Sequence, residues 1–366
     1  MILKVIKINK KFCTFTLSII ILVFLGLFIY TAFFPKLLQV QSSNFIWNNS
    51  STNEPTNKTD YIKWVDFTPT YDALDITSKL DIQSHNNNDS IRYNWIELLA
   101  YLACKYGGDF KKFNSNDLEI LKENLNNGTS MEELTKNLKY YSYYYEAYDA
   151  VLHEYIGEYE VETTNPENNK KTFEKKYGLK AFSPIAANYN FSHYDDFGAS
   201  RSYGYKRTHL GHDLMGSIGT PIIAVESGII EALGWNQYGG WRIGIRSFDG
   251  KRYYYYAHLR KNHPYVQGLA EGQTVKAGDV IGYLGMTGYS STENVNNINV
   301  PHLHFGVQLI FDESQKDGSN QIWIDLYQIV DFLKKNSSVV YKDTESGEFY
   351  RKNEWYDLNI ESSFMP

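Results

Sequence analysis

Cysteine is almost absent from this chain of 366 residues. Cys13 falls in an apolar run near the N-terminus, and Cys104 stands alone. That excludes a disulfide framework and a cysteine-based metal site. Any metal must therefore be held by histidines and carboxylates. An excess of positive charge is also lacking: 36 Lys and Arg face 42 Asp and Glu, for a net charge of −6. No basic surface argues for a nucleic-acid partner, and none is expected. Proline is scarce, at 9, and there are no internal repeats. No His-Glu-x-x-His segment occurs, so a zinc-binding helix with its own glutamate base is excluded. Tyrosine, by contrast, is abundant, at 31.

One long apolar run is present. Lys4, Lys7, Lys10 and Lys11 precede the uncharged residues 12–34. At roughly 1.5 Å per residue this run is long enough to span a bilayer core of about 30 Å. The lysines favour a cytoplasmic tail at 1–11, a transmembrane anchor at 12–34 and everything beyond on the outer side. A cleaved signal peptide is the rival reading, but Thr31-Ala32-Phe33-Phe34 fits a cleavage site poorly. The expectation is a single-pass membrane protein with an extracytoplasmic C-terminal domain.

Beyond the anchor, residues 35–90 are expected to form a stalk or linker, polar and rich in Asn, Ser and Thr over its first half. Residues 91–160 carry helical patterns. Trp95, Leu98, Leu99 and Leu102 recur at helical spacing before Gly107-Gly108. Leu118, Leu121 and Leu125 mark a second helix, with Gly128 past its end. Ser130-x-x-Glu133 is a capping-box pattern for a third, expected to continue through the tyrosine-rich run. This small α-helical module is read as a spacer or docking unit. Residues 161–180 read as a polar linker. From 181 to 335 short β-type runs alternate with glycine-containing turns, which predicts a mainly antiparallel β domain. Residues 322–333 are expected to close it as a helix, and 336–366 to form a polar C-terminal tail.

Six histidines fall between residues 209 and 304 of the β region: His209, His212, His258, His263, His302 and His304. His302 and His304 sit two apart in a strand-like run and so share one face. That arrangement suits a metal ligand beside a proton-transfer group. His209-Leu210-Gly211-His212-Asp213 sets a histidine and a carboxylate four apart across a glycine. His258 ends the run Tyr253-Tyr254-Tyr255-Tyr256-Ala257 and, on a regular strand, shares a face with Tyr254 and Tyr256.

Together these segments carry a family resemblance. His209-x-x-x-Asp213, Tyr256-Ala257-His258-Leu259 and Pro301-His302-Leu303-His304-Phe305 resemble the three signatures of the lysostaphin-type zinc metallopeptidases. The resemblance covers about residues 181–310. It implies a lysostaphin-like β-sheet with a groove, one zinc, and cleavage of peptide bonds in peptidoglycan stem peptides. Within the family the chain is most similar to the sporulation-associated L-Ala–D-Glu endopeptidases. That finer match rests on the anchor, the helical module and Arg201-Ser202-Tyr203-Gly204-Tyr205-Lys206-Arg207. Cell-wall or spore-cortex remodelling is the role it implies.

By this resemblance His209, Asp213 and His304 hold one Zn²⁺ per chain. Two imidazoles and a carboxylate suit zinc and leave a fourth position open for water. With no glutamate base available, His302 is expected to accept the proton from the attacking water. His258 is expected to hydrogen-bond the developing oxyanion or help to move the proton. His212 is expected to be structural, and His193 and His263 to sit at the surface. Residues 291–300 are an Asn-rich insertion relative to the family pattern, expected to form a groove wall. The competing reading is a non-catalytic scaffold of the same fold that binds cell wall or a partner protein.

Overall fold

The computed structural model describes residues 61–87, 89–166, 168–202 and 206–358. The apolar run at 12–34 and Tyr203 lie outside them. No described helix is long and apolar enough to cross a membrane. The described residues belong to one compact unit.

That unit begins with helices. α1 (Tyr71–Asn86) is capped by Thr70, and α2 (Trp95–Tyr106) by Asn94, whose side chain accepts from the amides of Ile96 and Glu97. α2 stops at Gly107, which adopts φ +65°, a conformation that costs a glycine little. α3 (Ser115–Asn126) follows. The Ser130 hydroxyl accepts from the Glu133 amide at 3.1 Å and starts α4 (Met131–Thr135). α4 does not run on through the tyrosines as expected. The chain turns at 136–140 and restarts as α5 (Tyr141–Leu152).

α1 falls in a stretch read as stalk, and the reason it was missed is physical. Its inward stripe is Ala73, Leu74, Thr77, Ser78, Asp81 and Ser84. The spacing is helical, but most of these side chains are small or polar, so hydrophobic periodicity is weak. Their polar atoms are satisfied internally: Asp81 accepts from the Trp95 amide at 2.9 Å and the Tyr177 hydroxyl at 2.7 Å.

The supposed linker at 161–180 is also structured. β1 (Ile156–Thr164) and β2 (Lys171–Leu179) pair antiparallel as a long hairpin. Most of β2 is exposed, so the hairpin lacks the apolar face by which a strand is usually recognised. Cross-strand charge pairs such as Lys175–Glu158, at 2.7 Å, take its place.

The β region builds one large antiparallel sheet and several two-stranded pieces. Its strands are β3 (Ser192–His193), β4 (Ser200–Arg201), β5 (Arg207–Thr208), β6 (His212–Met215), β7 (Pro221–Ile223), β8 (Gly228–Asn236), β9 (Gly240–Ser247), β10 (Arg252–Ala257), β11 (Thr274–Val275), β12 (Val280–Tyr283), β13 (His302–Leu309) and β14 (Ile322–Trp323). The large sheet runs β11-β8-β9-β10-β13-β6-β3, with β14 beside β13. The expected helix at 322–333 is split between β14 and α6 (Tyr327–Leu333). The expected tail contains β15 (Val340–Lys342), β16 (Phe349–Arg351) and β17 (Trp355–Asp357), and β17 pairs with β1.

Alternation along the strands sorts the sheet's two faces. Tyr254 and Tyr256 on β10, and Leu303, Phe305 and Val307 on β13, are buried in the core. The helices dock on this core rather than standing apart. Trp95 of α2 stacks on Phe332 of α6 at 5.9 Å. The buried Arg252 binds Glu226 at 2.8 Å and donates to the Ala150 carbonyl of α5 at 2.8 Å. One contiguous apolar cluster therefore joins helices and sheet. The opposite face of β9, β10 and β13 is left open as a groove.

Candidate metal centre and groove

Three strands bring the site together. β13 pairs with β6 so that His304 lies opposite Asp213, and with β10 so that Ala257 lies opposite His304. His209 precedes β6 and is held by backbone bonds to residues 198 and 199. The donor atoms converge. His209 Nε2 lies 3.1 Å from Asp213 Oδ1 and 3.2 Å from His304 Nδ1, and His304 Nδ1 lies 2.9 Å from Asp213 Oδ1. Of the described residues, these three form the cluster able to hold a metal ion.

The glycine between the first two ligands has a steric reason. A Cβ at Gly211 would meet His304 Nε2 at 2.5 Å and the Phe305 carbonyl at 3.0 Å. Gly211→Ala must push the His304 ring away from its partners. Metal affinity should fall about 10–100-fold, as when the support of a ligand is lost. Titration with a competing chelator would show it; unchanged affinity would mean that the ring yields without consequence.

The electrostatics follow from crowding. Burial alone would raise Asp213, but hydrogen bonds from His209 and His304 pull it far below the ordinary carboxylate range. Burial opposes charge on His209, yet Asp213 and Asp196 outweigh it and raise this histidine. His304 is lowered, with desolvation the largest cause. A deprotonated carboxylate beside a neutral imidazole is the state a cation requires.

Sequence reading missed the partner that orients His209. Its Nδ1 lies 3.3 Å from the Asp196 carbonyl oxygen and 3.3 Å from the Asp196 carboxylate. Such support on the far nitrogen fixes the ring and directs Nε2 towards the cluster. Arg201 pairs with Asp196 and sits 3.8 Å from Asp213.

His302 faces the same cleft as His304. Its Nδ1 is 2.8 Å from the Val300 carbonyl and its Nε2 is 3.7 Å from Asp213 Oδ1. A carbonyl only accepts, so Nδ1 carries the proton and Nε2 keeps a free lone pair towards the cleft. His258 reaches the cleft by an unexpected route. Strand parity would put it on the buried face with Tyr254 and Tyr256. Instead it has φ +64°, outside the strand, and the left-handed turn swings it to the groove side. There its ring centroid is 4.9 Å from that of His302 and 5.8 Å from that of His304. Its Nδ1 donates to the Thr287 carbonyl at 2.9 Å. Desolvation, with the nearby His302 and His304, pushes it well below the usual histidine range.

The other histidines part from this group. His212 points to the core side, fully buried, with Nε2 2.8 Å from His193 Nδ1. Desolvation and His193 bring it down to about 4. His193, expected at the surface, is a correction. Its side chain is only 5% exposed, and its Nε2 is 3.0 Å from Asp331. β3 at the sheet's edge is covered there by α6, which sequence spacing did not show. His263 is partly exposed, as expected, and pairs with Glu348 at 2.7 Å.

The site opens into a groove of about 660 Å³ that continues over Tyr255, Arg242, Gln308 and Trp323. Beside the site its wall is Tyr289. The insertion expected to form that wall packs sideways instead, with Asn294 accepting from the Trp241 indole at 3.0 Å and the Asn262 amide at 2.8 Å.

Residues 207–317, which contain all five cleft residues, match the model of peptidase family M23. The chain carries an M23 metallopeptidase domain. A stretch of 130 residues is 37% identical to the L-Ala–D-Glu endopeptidase of Bacillus subtilis (strain 168), covering 36% of this chain and 38% of that protein. Lysostaphin of Staphylococcus staphylolyticus is 43% identical over 98 residues, 26% of this chain and 18% of the relative. The chain thus spans well under half of each relative's length. The solved catalytic domain of lysostaphin from Staphylococcus simulans is 36% identical, covering 36% of this chain and 85% of that one, with a TM-score of 0.27. The family match begins at residue 207, after the helices and the hairpin.

Proposed function

We propose that this chain is a zinc endopeptidase that hydrolyses peptide bonds in peptidoglycan stem peptides, held at the outer face of the membrane by residues 12–34. One observation carries the reading. His209 Nε2, Asp213 Oδ1 and His304 Nδ1 meet at 2.9–3.2 Å on the wall of an open groove, beside two further imidazoles. The donor set fits zinc. Tetrahedral ligands at about 2.1 Å from a common ion lie about 3.4 Å apart, close to the spacing seen here. When bound, zinc polarises the scissile carbonyl and makes water a usable nucleophile near neutral pH.

The chain's own residues do the rest. His302 Nε2 accepts a proton from the attacking water and later returns it to the leaving amine. The Val300 carbonyl holds the other nitrogen and keeps that lone pair aimed into the cleft. His258 carries its lone pair on Nε2 as well, so in its neutral form it accepts a hydrogen bond in the cleft, orients the attacking water and helps to move its proton. The L-Ala–D-Glu bond is the proposed cleavage point, and wall or spore-cortex remodelling the setting. Similarity to the Bacillus subtilis enzyme of that name supports the cleavage point.

The test is digestion of purified peptidoglycan with the full chain, followed by mass spectrometry of the fragments. New L-Ala carboxyl ends and D-Glu amino ends are expected. Intact stem peptides would overturn the reading. The anchor has its own check. Protease added to protoplasts should remove the M23 domain, and mature protein beginning near residue 35 in the medium would mean secretion instead.

A further inference from the structure

We infer that Arg242 is the groove's receptor for a free substrate carboxylate borne within about two residues of the cleaved bond. The inference deepens the peptidoglycan reading and rests on it. Register places Arg242 in line with the metal cluster. Gly234 pairs with Arg242, Ala257 with His304, and His304 with Asp213. The β9–β10 ladder ends at Ile243 opposite Tyr256, so the next step sets Arg242 opposite Ala257. One row across the sheet therefore reads Gly234, Arg242, Ala257, His304, Asp213. Ile243 and Tyr256 point into the core, so this row faces the groove. Arg242 stands two strands from His304, about 10 Å at the backbone. Only the methyl of Ala257 lies between them, and Gly234 on the other side adds no side chain.

Arg242 also differs from its cationic neighbours. Lys316 pairs with Glu231, Arg201 with Asp196, and Arg246 with Glu231 and Glu313. Arg207 lies over the Tyr289 ring at 4.7 Å. The Arg242 guanidinium makes no ion pair or hydrogen bond with any described residue, though it lines the groove with Tyr253 and Tyr255. A half-buried guanidinium without a partner, on a floor of tyrosines, suits a planar anion bound through two hydrogen bonds. Neighbouring peptide residues are about 3.5 Å apart, so a carboxylate one or two residues from the bond at the cluster falls within the side chain's reach. A glutamate joined into a peptide through one of its carboxyls retains the other as such an anion.

The experiment compares two synthetic peptides, L-Ala–γ-D-Glu–L-Lys and the same peptide with the free glutamate carboxyl amidated. The full chain should favour the acid by at least about tenfold in kcat/KM, mostly through KM. Arg242→Gln should bring the acid-to-amide ratio to about one, and Arg242→Lys should retain part of the preference. Binding of both peptides to the His302→Ala variant, measured by calorimetry, gives a second readout that needs no turnover. Equal handling of acid and amide by the unsubstituted chain overturns the inference, as does a ratio that survives Arg242→Gln. If the acid binds preferentially but neither peptide is cut, the receptor stands and the endopeptidase reading falls. If neither peptide binds, both fall.

Discussion

His304→Ala and Asp213→Ala should each abolish stoichiometric zinc binding, and peptide hydrolysis should fall to background with it. The full chain should bind about one Zn²⁺. Each ligand is one of three, so removing one leaves two protein donors for an ion that takes three at a catalytic site. The effect exceeds that of a lost hydrogen bond because the remaining groups are also disturbed. Asp213 is held ionised by hydrogen bonds from both histidines. In His304→Ala the carboxylate keeps His209 but loses its 2.9 Å contact. Metal analysis after dialysis decides the matter. Retention of one zinc per chain by His304→Ala would show that the donors meeting at 2.9–3.2 Å are not the ligands. A chelator should reproduce the loss in the unsubstituted chain, and added zinc should reverse it.

His302→Ala should separate proton transfer from metal binding. Zinc content should remain near one, KM should change little, and kcat should fall by roughly 10²–10⁴. The structure supports this division. His302 Nε2 stands 3.7 Å from Asp213 Oδ1, whereas His304 Nδ1 is at 2.9 Å. Only the nearer imidazole belongs to the ligand cluster. His258→Ala should behave similarly, because it too acts as charge develops. His263→Ala, remote in its pair with Glu348, should leave turnover intact. His212→Ala should lose stability through the cavity it leaves in the core, but not zinc. Loss of zinc in His302→Ala, or loss of turnover in a folded His212→Ala, would overturn this assignment of roles.

The three histidine-bearing segments could be read from the amino-acid order because strand parity is a local property. His302 and His304 share a face by alternation alone, and His212 faces away from Asp213 for the same reason. The helices at 95–106 and 115–126 were equally legible, since leucines at helical spacing end at glycine or asparagine. Elsewhere the local signal was weak or pointed the wrong way. α1 hides its buried stripe in Thr77, Ser78, Asp81 and Ser84, and only contact with Trp95 and Tyr177 satisfies Asp81. β1 and β2 are stabilised by each other across a polar ladder, so neither reads as a strand alone.

The site itself shows the same split. The chain order supplied the residue types: two imidazoles and a carboxylate for a metal, further imidazoles for protons, and no cysteine to compete. Tertiary structure decided how they meet. The φ of +64° at His258 reverses the face that parity assigns to it. The 198–209 backbone bonds bring Asp196 to His209, thirteen positions away in sequence. The β8–β9–β10–β13–β6 register sets Arg242 in one row with His304 and Asp213. Pairing between strands distant in sequence depends on how the whole sheet closes over its core, and no local pattern encodes it.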